Sequence, residues 1–377
     1  MKYKIKEGKM KVLLVGEYSK IHNNLKYGLE SLGVEVDTAN FGDYFKKFGS
    51  DIKLHKIKKD SRYDFLRNMY SNYLYKKFVQ YDVVQFINEA ELGIVDGFHR
   101  NLAGKLVHDA KLSVLLIAGC NVQYAGLARQ RLKITPCDGC LKYDRKSMHG
   151  CPYRDNRQIV EASYVVQKNV DVMIPMSYEY YVCSKEGKFA EKMAEPIPMP
   201  IIVDKPPVIS EKTGNEKLII LHPLNREGFK GTREARKAFR ILKQKYSGIA
   251  DFIIDGKMPY DEYMKLVAKA DIIVDQRNGY SFGMGSLDAM YQGKVLVTGN
   301  YRSEIDDPYF NYLRTAPAFE WGITVDDIVK NISEIIESRD DFAKIGQRGT
   351  EFVREYFDSK KVAKRFLDLY ESELRKK

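Results

Sequence analysis

Nine short apolar runs punctuate this 377-residue chain, and most of the stretches between them are long and amphipathic. Five runs fill the first half, at residues 11–15, 34–38, 83–87, 113–117 and 170–174; four fill the second, at 218–221, 252–254, 272–274 and 295–298. Parallel strands need a helix-length crossover where antiparallel ones need only a tight turn, so this alternation predicts parallel sheets wrapped by helices. The length exceeds one ordinary domain, and a break is visible. The segment PIPMPIIVDKPP holds Pro196, Pro198, Pro200, Pro206 and Pro207, five of the 12 prolines. Proline resists helix and cannot donate to a ladder, which makes this segment a linker. Two doubly wound units are expected, over residues 1–203 and 204–377.

The last stretch opens with Asp358 as an N-cap and sets Val362, Phe366, Leu367 and Tyr370 on one face. It predicts a terminal helix over about 358–377 that can pack back on the N-terminal domain. Two Rossmann-like sheets facing one another would leave a cleft at the carboxyl ends of their strands, where such folds bind ligands.

Charge narrows the partner. Lys and Arg total 62 against 51 Asp and Glu, a net +11 that favours nucleic acid, an acidic lipid surface or a phosphorylated ligand. The 44% apolar and 30% charged fractions belong to a globular chain and exclude disorder or a disulfide miniprotein. Helix-turn-helix, RNA-binding aromatic and finger-array signatures are absent, so nucleic acid is not expected as a partner. Gly16 is followed by EYSKIH and not by a dinucleotide fingerprint, which argues against a dehydrogenase. The apolar stretch at 12–15 is too short for a secretory leader, and the run at 114–118 falls far below the ~20 residues of a membrane span. The expected location is cytoplasmic, or peripheral on the inner face of the cytoplasmic membrane. Residues 1–9 read as an extension ahead of Met10.

The chemistry concentrates between His222 and Thr298. HPLNREGFKGTREARKAFRIL follows a strand and sets Arg226 and Lys230 ahead of a helix. Fixed cations and unsatisfied amides then meet at one spot, as a diphosphate site requires, though the same loop also fits a solvated basic turn. Next comes DGKMPYDEYMKLVAKADIIVDQ, with a turn at Gly256, a helix from near Tyr260 and a strand ending at Asp275. In NGYSFGMGSLDAMYQGKVLVTG, Gly279, Gly283 and Gly285 surround Tyr280 and Phe282 before the helix SLDAMYQG. Glycines let amides approach an anion, Ser286 can cap that helix, and Asp288 in its first turn is placed for sugar hydroxyls.

This order of strands and loops resembles the donor domain of GT-B glycosyltransferases, particularly the retaining enzymes of glycosyltransferase family four found in bacterial polysaccharide pathways. The likeness is strongest over residues 218–300 and continues through KVLLVGEYSKIHNNLKYGLESLG in the first half. It implies that Arg226 and Lys230 hold the diphosphate of a UDP- or GDP-linked sugar and act as the catalytic cations. The backbone at Lys257 and Met258 would meet the nucleobase, and Gly283, Met284, Gly285 and Ser286 the phosphate. The family's two glutamates seven residues apart are replaced by Tyr280 and Asp288, so Asp288 would keep the ribose while the first acid is lost. The resemblance also implies a retaining transfer without a carboxylate pair, in which front-face attack needs mainly positioning and leaving-group stabilisation.

The first half carries the acceptor side of the resemblance. The family's histidine after the fourth strand is absent, its place taken by Gly119, Cys120 and Asn121. Asn121 fits a sugar contact or a turn former. Gly16, Glu17 and Tyr18, after the first strand, are expected to line the cleft, while His22 fits a structural role. Residues 53–77 hold eight Lys/Arg against Asp60 and Asp64, with Tyr63, Leu66, Met69, Tyr70, Tyr73 and Leu74 at helical spacing. That stripe fits either a core-facing helix or an anionic membrane surface, which would suit a polyprenyl-diphosphate-linked acceptor.

Cys137, Cys140, His149 and Cys151 form a cluster that fits structural zinc or reduced thiols, and five cysteines without a leader argue against disulfides. Catalysis needs no metal in this reading. The sequence therefore points to a glycosyltransferase using a nucleotide-sugar donor and a saccharide or lipid-linked acceptor. The alternatives are a nucleotide-sugar epimerase of similar architecture and a basic nucleic-acid-binding protein.

Overall fold

The first sheet comprises β1 (Lys11–Val15), β2 (Glu35–Asn40), β3 (Ile52–Lys53), β4 (Val83–Phe86), β5 (Leu112–Ile117) and β6 (Val172–Pro175). Its order is β3-β2-β1-β4-β5-β6 and every pairing is parallel, the doubly wound arrangement whose strand order reverses between β1 and β4. The computed structural model describes residues 9–55, 57, 60–89, 100–144, 150–204 and 216–377. Val12, Leu13, Leu14 and Val15 are all fully buried, as a central strand covered on both faces demands.

The second sheet comprises β7 (Leu218–Leu224), β8 (Ala250–Gly256), β9 (Ile272–Val274) and β10 (Val295–Val297), ordered β10-β9-β7-β8 and again parallel. Its reversal lies between β7 and β9. The helix Thr232–Lys245 covers it with Ala235, Ala238, Phe239 and Leu242, and Val325–Glu337 adds Ile328, Ile332, Ile335 and Ile336 to the same core. Thr324 caps that second helix reciprocally with Asp327, which fixes where it begins.

Strand positions in the sequence hold with shifted ends. Val170 closes the helix Arg157–Asn169 instead of opening β6, and β8 extends because its ladder with β7 runs to Gly256 opposite Leu224. The two-residue β3 is too short to show a period.

The described residues fall into two compact units. The first takes Met1–Leu127, Cys151–Ile202 and Ser359–Lys377; the second takes Ala128–Gly150 and Val203–Asp358. Two segments therefore depart from the simple division at the proline segment, of which Pro206 and Pro207 lie outside the described residues. Ala128–Gly150 is an excursion from the first half of the sequence into the second unit. The C-terminal helix Ser359–Lys376 returns to the first unit, burying Val362, Phe366 and Tyr370.

That return is held closely. A Cβ on Gly28 would stand 2.2 Å from the Ser359 carbonyl oxygen and 2.7 Å from Ala363 Cβ, so the helix Ile21–Ser31 needs glycine where the terminal helix crosses it. A buried polar chain completes the join. Tyr370 donates to Gln85 Oε1 at 2.6 Å, the Gln85 amide lies 3.2 Å from His22 Nε2, and His22 Nδ1 lies 2.7 Å from the Gly16 carbonyl. A carbonyl only accepts, so Nδ1 carries the proton and Nε2 accepts from Gln85. Burial pushes the His22 imidazole down to about 3 and keeps it neutral within this chain of hydrogen bonds.

Candidate functional site

In the second unit, three loops converge at the carboxyl ends of β7 and β9, the reversal point where doubly wound sheets take their ligands. Lys230 ends the short helix Glu227–Lys230 that follows β7, and its ammonium pairs with the carboxylate of Asp275, which directly follows β9. Ser286 Oγ donates to the same carboxylate from the first turn of the helix that follows the glycine loop. Asp275 is only 2% exposed. Burial pushes its carboxyl up, but the Lys230 ammonium and the Ser286 hydroxyl outweigh burial and hold it below the usual carboxylate range.

The turn carrying Lys230 is itself pinned. Gly231 adopts φ +79°, and a Cβ there would meet Arg277 Cβ at 2.8 Å. Thr232 begins the next helix with its hydroxyl 2.8 Å from His222 Nε2, while His222 Nδ1 donates to the Val274 carbonyl at 2.6 Å. Burial lowers the His222 imidazole to about 4, and the Trp321 ring meets it edge-on at 5.6 Å. Neutral His222 thus ties β7, β9 and the helix start together. Arg226 lies over the Phe229 ring at 3.7 Å, a cation–π contact that orients the guanidinium.

The Ala128–Gly150 excursion supplies a clasp that no local sequence signal announces. Asp144 accepts hydrogen bonds from the amides of Gly228 at 3.0 Å and Phe229 at 2.9 Å, inside the turn between Arg226 and Lys230. Earlier in the excursion, the Lys133 amide donates to Tyr280 Oη at 2.9 Å and Lys133 Nζ bonds Glu304 at 2.8 Å. One segment therefore grips both the basic turn and the glycine loop.

Three sequence readings change here. The glycine-loop helix is Met284–Tyr291, starting two residues earlier than expected with Gly283 as its N-cap. Ser286 consequently lies inside the first turn and serves Asp275 instead of capping. Tyr280, expected at the donor side, is 4% exposed and its hydroxyl accepts from the Lys133 amide. Gly283 is exposed and brings no side chain to the leading amides of the helix.

The turn after β8 is equally local. Gly256 ends β8 so close to β7 that a Cβ would stand 2.1 Å from the Leu224 carbonyl oxygen. Lys257 then takes φ +57°, the left-handed region that costs a lysine about 1–3 kcal/mol, and Met258 follows it. Tyr260, two residues on, donates to Asp288 Oδ2 at 3.0 Å, and burial together with that carboxylate raises its phenol. Asp275, Tyr260 and Asp144 were not assigned roles from sequence. The acid ending the apolar run IIVD was a usable sign for the first; the others depend on contacts 28 and 84 residues away.

The first unit carries its own polar cluster at the β1/β4 reversal. Glu17 lies two residues past β1 and is 2% exposed. Its Oε2 accepts from the Asn23 amide at 2.9 Å, while Oε1 is buried with no hydrogen-bond partner. Burial pushes this carboxyl up to about 8, against the Asn23 bond, and the Asp43 carboxylate adds to the rise. Glu89, past β4 and missed in the sequence, is pushed up to about 7 by burial. Asn121 caps the helix Val122–Arg131 by accepting from the Tyr124 amide at 2.8 Å, as a turn former does, with its Nδ2 buried and without a partner. Gly16 has φ +87°, and a Cβ on Gly119 would touch the Tyr18 ring at 3.0 Å. The expected acceptor residues thus gather at one end of the first sheet.

The cysteine cluster does not assemble among the described residues, where no group of three or more His, Cys, Asp or Glu side chains is placed to hold a metal ion. Cys137 and Cys140 belong to the second unit, Cys151 to the first, and His149 lies outside the described residues.

No protein-family model and no curated protein sequence matches the chain. Solved structures do. A sucrose-phosphate synthase from Thermosynechococcus elongatus is similar at 13% identity, covering 97% of this chain and 99% of its own, with a TM-score of 0.62. Anabaena HepE in complex with UDP and glucose is similar at 10% identity, covering 96% and 100%, with a TM-score of 0.60. A putative UDP-N-acetylglucosamine 2-epimerase from Listeria monocytogenes is similar at 11% identity, covering 96% and 95%, with a TM-score of 0.55. The two parallel sheets and the near-complete coverage of these structures place the chain in the GT-B fold class.

Proposed function

We propose that the protein is a glycosyltransferase using a nucleotide-sugar donor, with the second unit binding donor and the first unit binding acceptor. The observation that carries this reading is the convergence of Lys230, Asp275 and Ser286 at the β7/β9 reversal, with Asp288 and Tyr260 on the neighbouring helices. Lys230 keeps two ammonium protons beyond its bond to Asp275, enough to hold a diphosphate oxygen, and Arg226 adds a second cation. As the glycosidic bond to the diphosphate breaks, negative charge grows on the leaving oxygen, and a preorganised cation pair stabilises that change. Gly283, Met284 and Gly285 would offer helix amides to phosphate, Lys257 and Met258 their backbone to the base, and Asp288 its carboxylate to the ribose.

UDP is the favoured carrier, because UDP is the nucleotide named in the HepE complex. In this reading the acceptor, a saccharide or a polyprenyl-diphosphate-linked glycan, meets Gly16, Glu17, Tyr18 and Asn121. Transfer with retention, in cell-surface polysaccharide synthesis on the cytoplasmic side of a membrane, completes the proposal. Thermal-shift screening against nucleotides and nucleotide sugars tests it: ligand at ~100 times its dissociation constant stabilises by about 2.7 kcal/mol. A flat response to every nucleoside diphosphate and its sugars would remove the reading.

One observation favours a second reading, nucleotide-sugar epimerisation. Glu17 and Glu89, raised to about 8 and about 7, are the kind of near-neutral carboxyls that move protons to and from carbon. Donor turnover without any acceptor separates the two, since an epimerase needs none.

A further inference from the structure

The helix Asp64–Phe78 in the first unit is built inside out along one face. Its inward side buries Ser71, Leu74 and Phe78. Its outward side carries Phe65 at 72% exposure, Leu66 at 51%, Met69 at 54% and Tyr73 at 58%, with Tyr63 at 36% just ahead of it. At 3.6 residues per turn, Phe65, Met69, Tyr73 and Leu66 share about 100° of helix surface, and exposed Lys76 falls within the same arc. Five of the six residues of the sequence stripe at 63–74 therefore do not pack deep in the core: Leu74 is buried, Tyr70 half-buried, and the other four are exposed. A continuous exposed apolar row on a soluble surface marks an interaction site.

Charge selects the occupant. The stretch 53–77 carries a net +6, and among its described residues exposed Lys76 and half-buried Lys77 stand at one end of the row. Arg62, at its amino end, is ion-paired with Asp60, which leaves Lys76 and Lys77 as the cations that end the row. Asp64 is taken up by Arg67, so the acids near the row are already paired. Aromatic and thioether groups between cations match the boundary of an anionic bilayer, where rings and apolar chains enter the headgroup layer and lysines meet phosphates.

We propose that the Phe65–Met69–Tyr73 face of this helix, with Lys76 and Lys77, docks the protein on an anionic phospholipid surface. The inference is independent of the donor assignment, because vesicle binding requires no turnover.

Co-sedimentation of the full chain with vesicles tests it, using phosphatidylcholine alone and phosphatidylcholine mixed with phosphatidylglycerol. The expected result is binding to the mixed vesicles only, weakened by added salt. The combined variant Phe65→Ser/Met69→Ser/Tyr73→Ser should lose at least roughly tenfold in partitioning while keeping its thermal midpoint, because these side chains are already in solvent. Lys76→Glu/Lys77→Glu, which leaves the apolar row intact, should lose a similar amount. Three results would overturn the proposal: no wild-type binding to mixed vesicles, serine-variant binding equal to wild type, or a wild-type dimer in light scattering that the serine variant converts to monomer.

Discussion

The backbones of Gly139 and Gly228 touch: a Cβ on Gly139 would stand 2.0 Å from the Gly228 carbonyl oxygen, and one on Gly228 would stand 2.1 Å from that of Gly139. Both atoms met are backbone, so no side chain can swing aside. Gly139→Ala or Gly228→Ala should each lower the unfolding free energy by about 1–3 kcal/mol, as overpacking does. The double variant should cost less than the sum, because either change alone opens the same contact. Denaturant unfolding measures all three, and unchanged midpoints would show that the excursion does not seat on this turn.

Asp144 holds the same turn by its charge. Asp144→Ala leaves the amides of Gly228 and Phe229 without their acceptor and should cost about 1–3 kcal/mol of stability. Asp144→Asn keeps one acceptor oxygen and should fall between the two. Equal stability of all three proteins would contradict the clasp.

Lys230 is committed to a buried partner, which changes what its removal does. Lys230→Ala orphans the Asp275 carboxylate, and breaking a buried pair in this way costs about 3–5 kcal/mol at neutral pH. The pH dependence has a definite sign. In the wild type the folded Asp275 carboxyl lies below its unfolded value, so its contribution is present above that value and is lost as pH falls through the folded one. In the variant, burial without Lys230 raises the carboxyl, so protonation relieves the penalty. The gap in thermal midpoint between variant and wild type should therefore narrow from pH 7 toward pH 4. A gap that stays constant or widens would refute the pairing.

Glu17 runs the other way. With its folded value at about 8, above the unfolded one, the native state holds an extra proton between the two, and stability falls as pH rises through that window. Glu17→Gln cannot ionise. It should be more stable than wild type above pH 8, with the difference shrinking toward pH 5. Parallel pH–stability curves for the two proteins would show that Glu17 is not buried as described.

Much of this architecture is legible in the sequence because parallel strands buried on both faces are short unbroken apolar runs, as at 12–15 and 272–274. The turn expected at Gly256 coincides with a close approach to Leu224, and the order of loops after each strand led to the segments that bring Lys230, Asp275 and Ser286 together. Partnership across distance was not legible. Asp144 meets Gly228 across 84 residues and Tyr370 meets Gln85 across 285, and neither acid nor phenol has a local pattern that names its partner. Ser286 was misread for a related reason: its helix begins at Met284, and a shift of two residues turns a cap into an inward-facing donor. The basic stripe at 63–74 has helical periodicity whichever side faces the core, so only the packed structure separates Leu74 from Met69.

The central claim is that a nucleoside diphosphate binds where Lys230 meets Asp275. Calorimetric titration with UDP, on the wild type and on Lys230→Met/Asp275→Asn, tests it most directly, because the paired change removes the cation without orphaning a charge. Losing hydrogen bonds from a charged group to phosphate costs about 1.5–3 kcal/mol, so the variant should bind UDP roughly 10- to 100-fold more weakly while remaining folded. Equal affinity in the two proteins, or no saturable UDP binding by the wild type, would contradict the assignment.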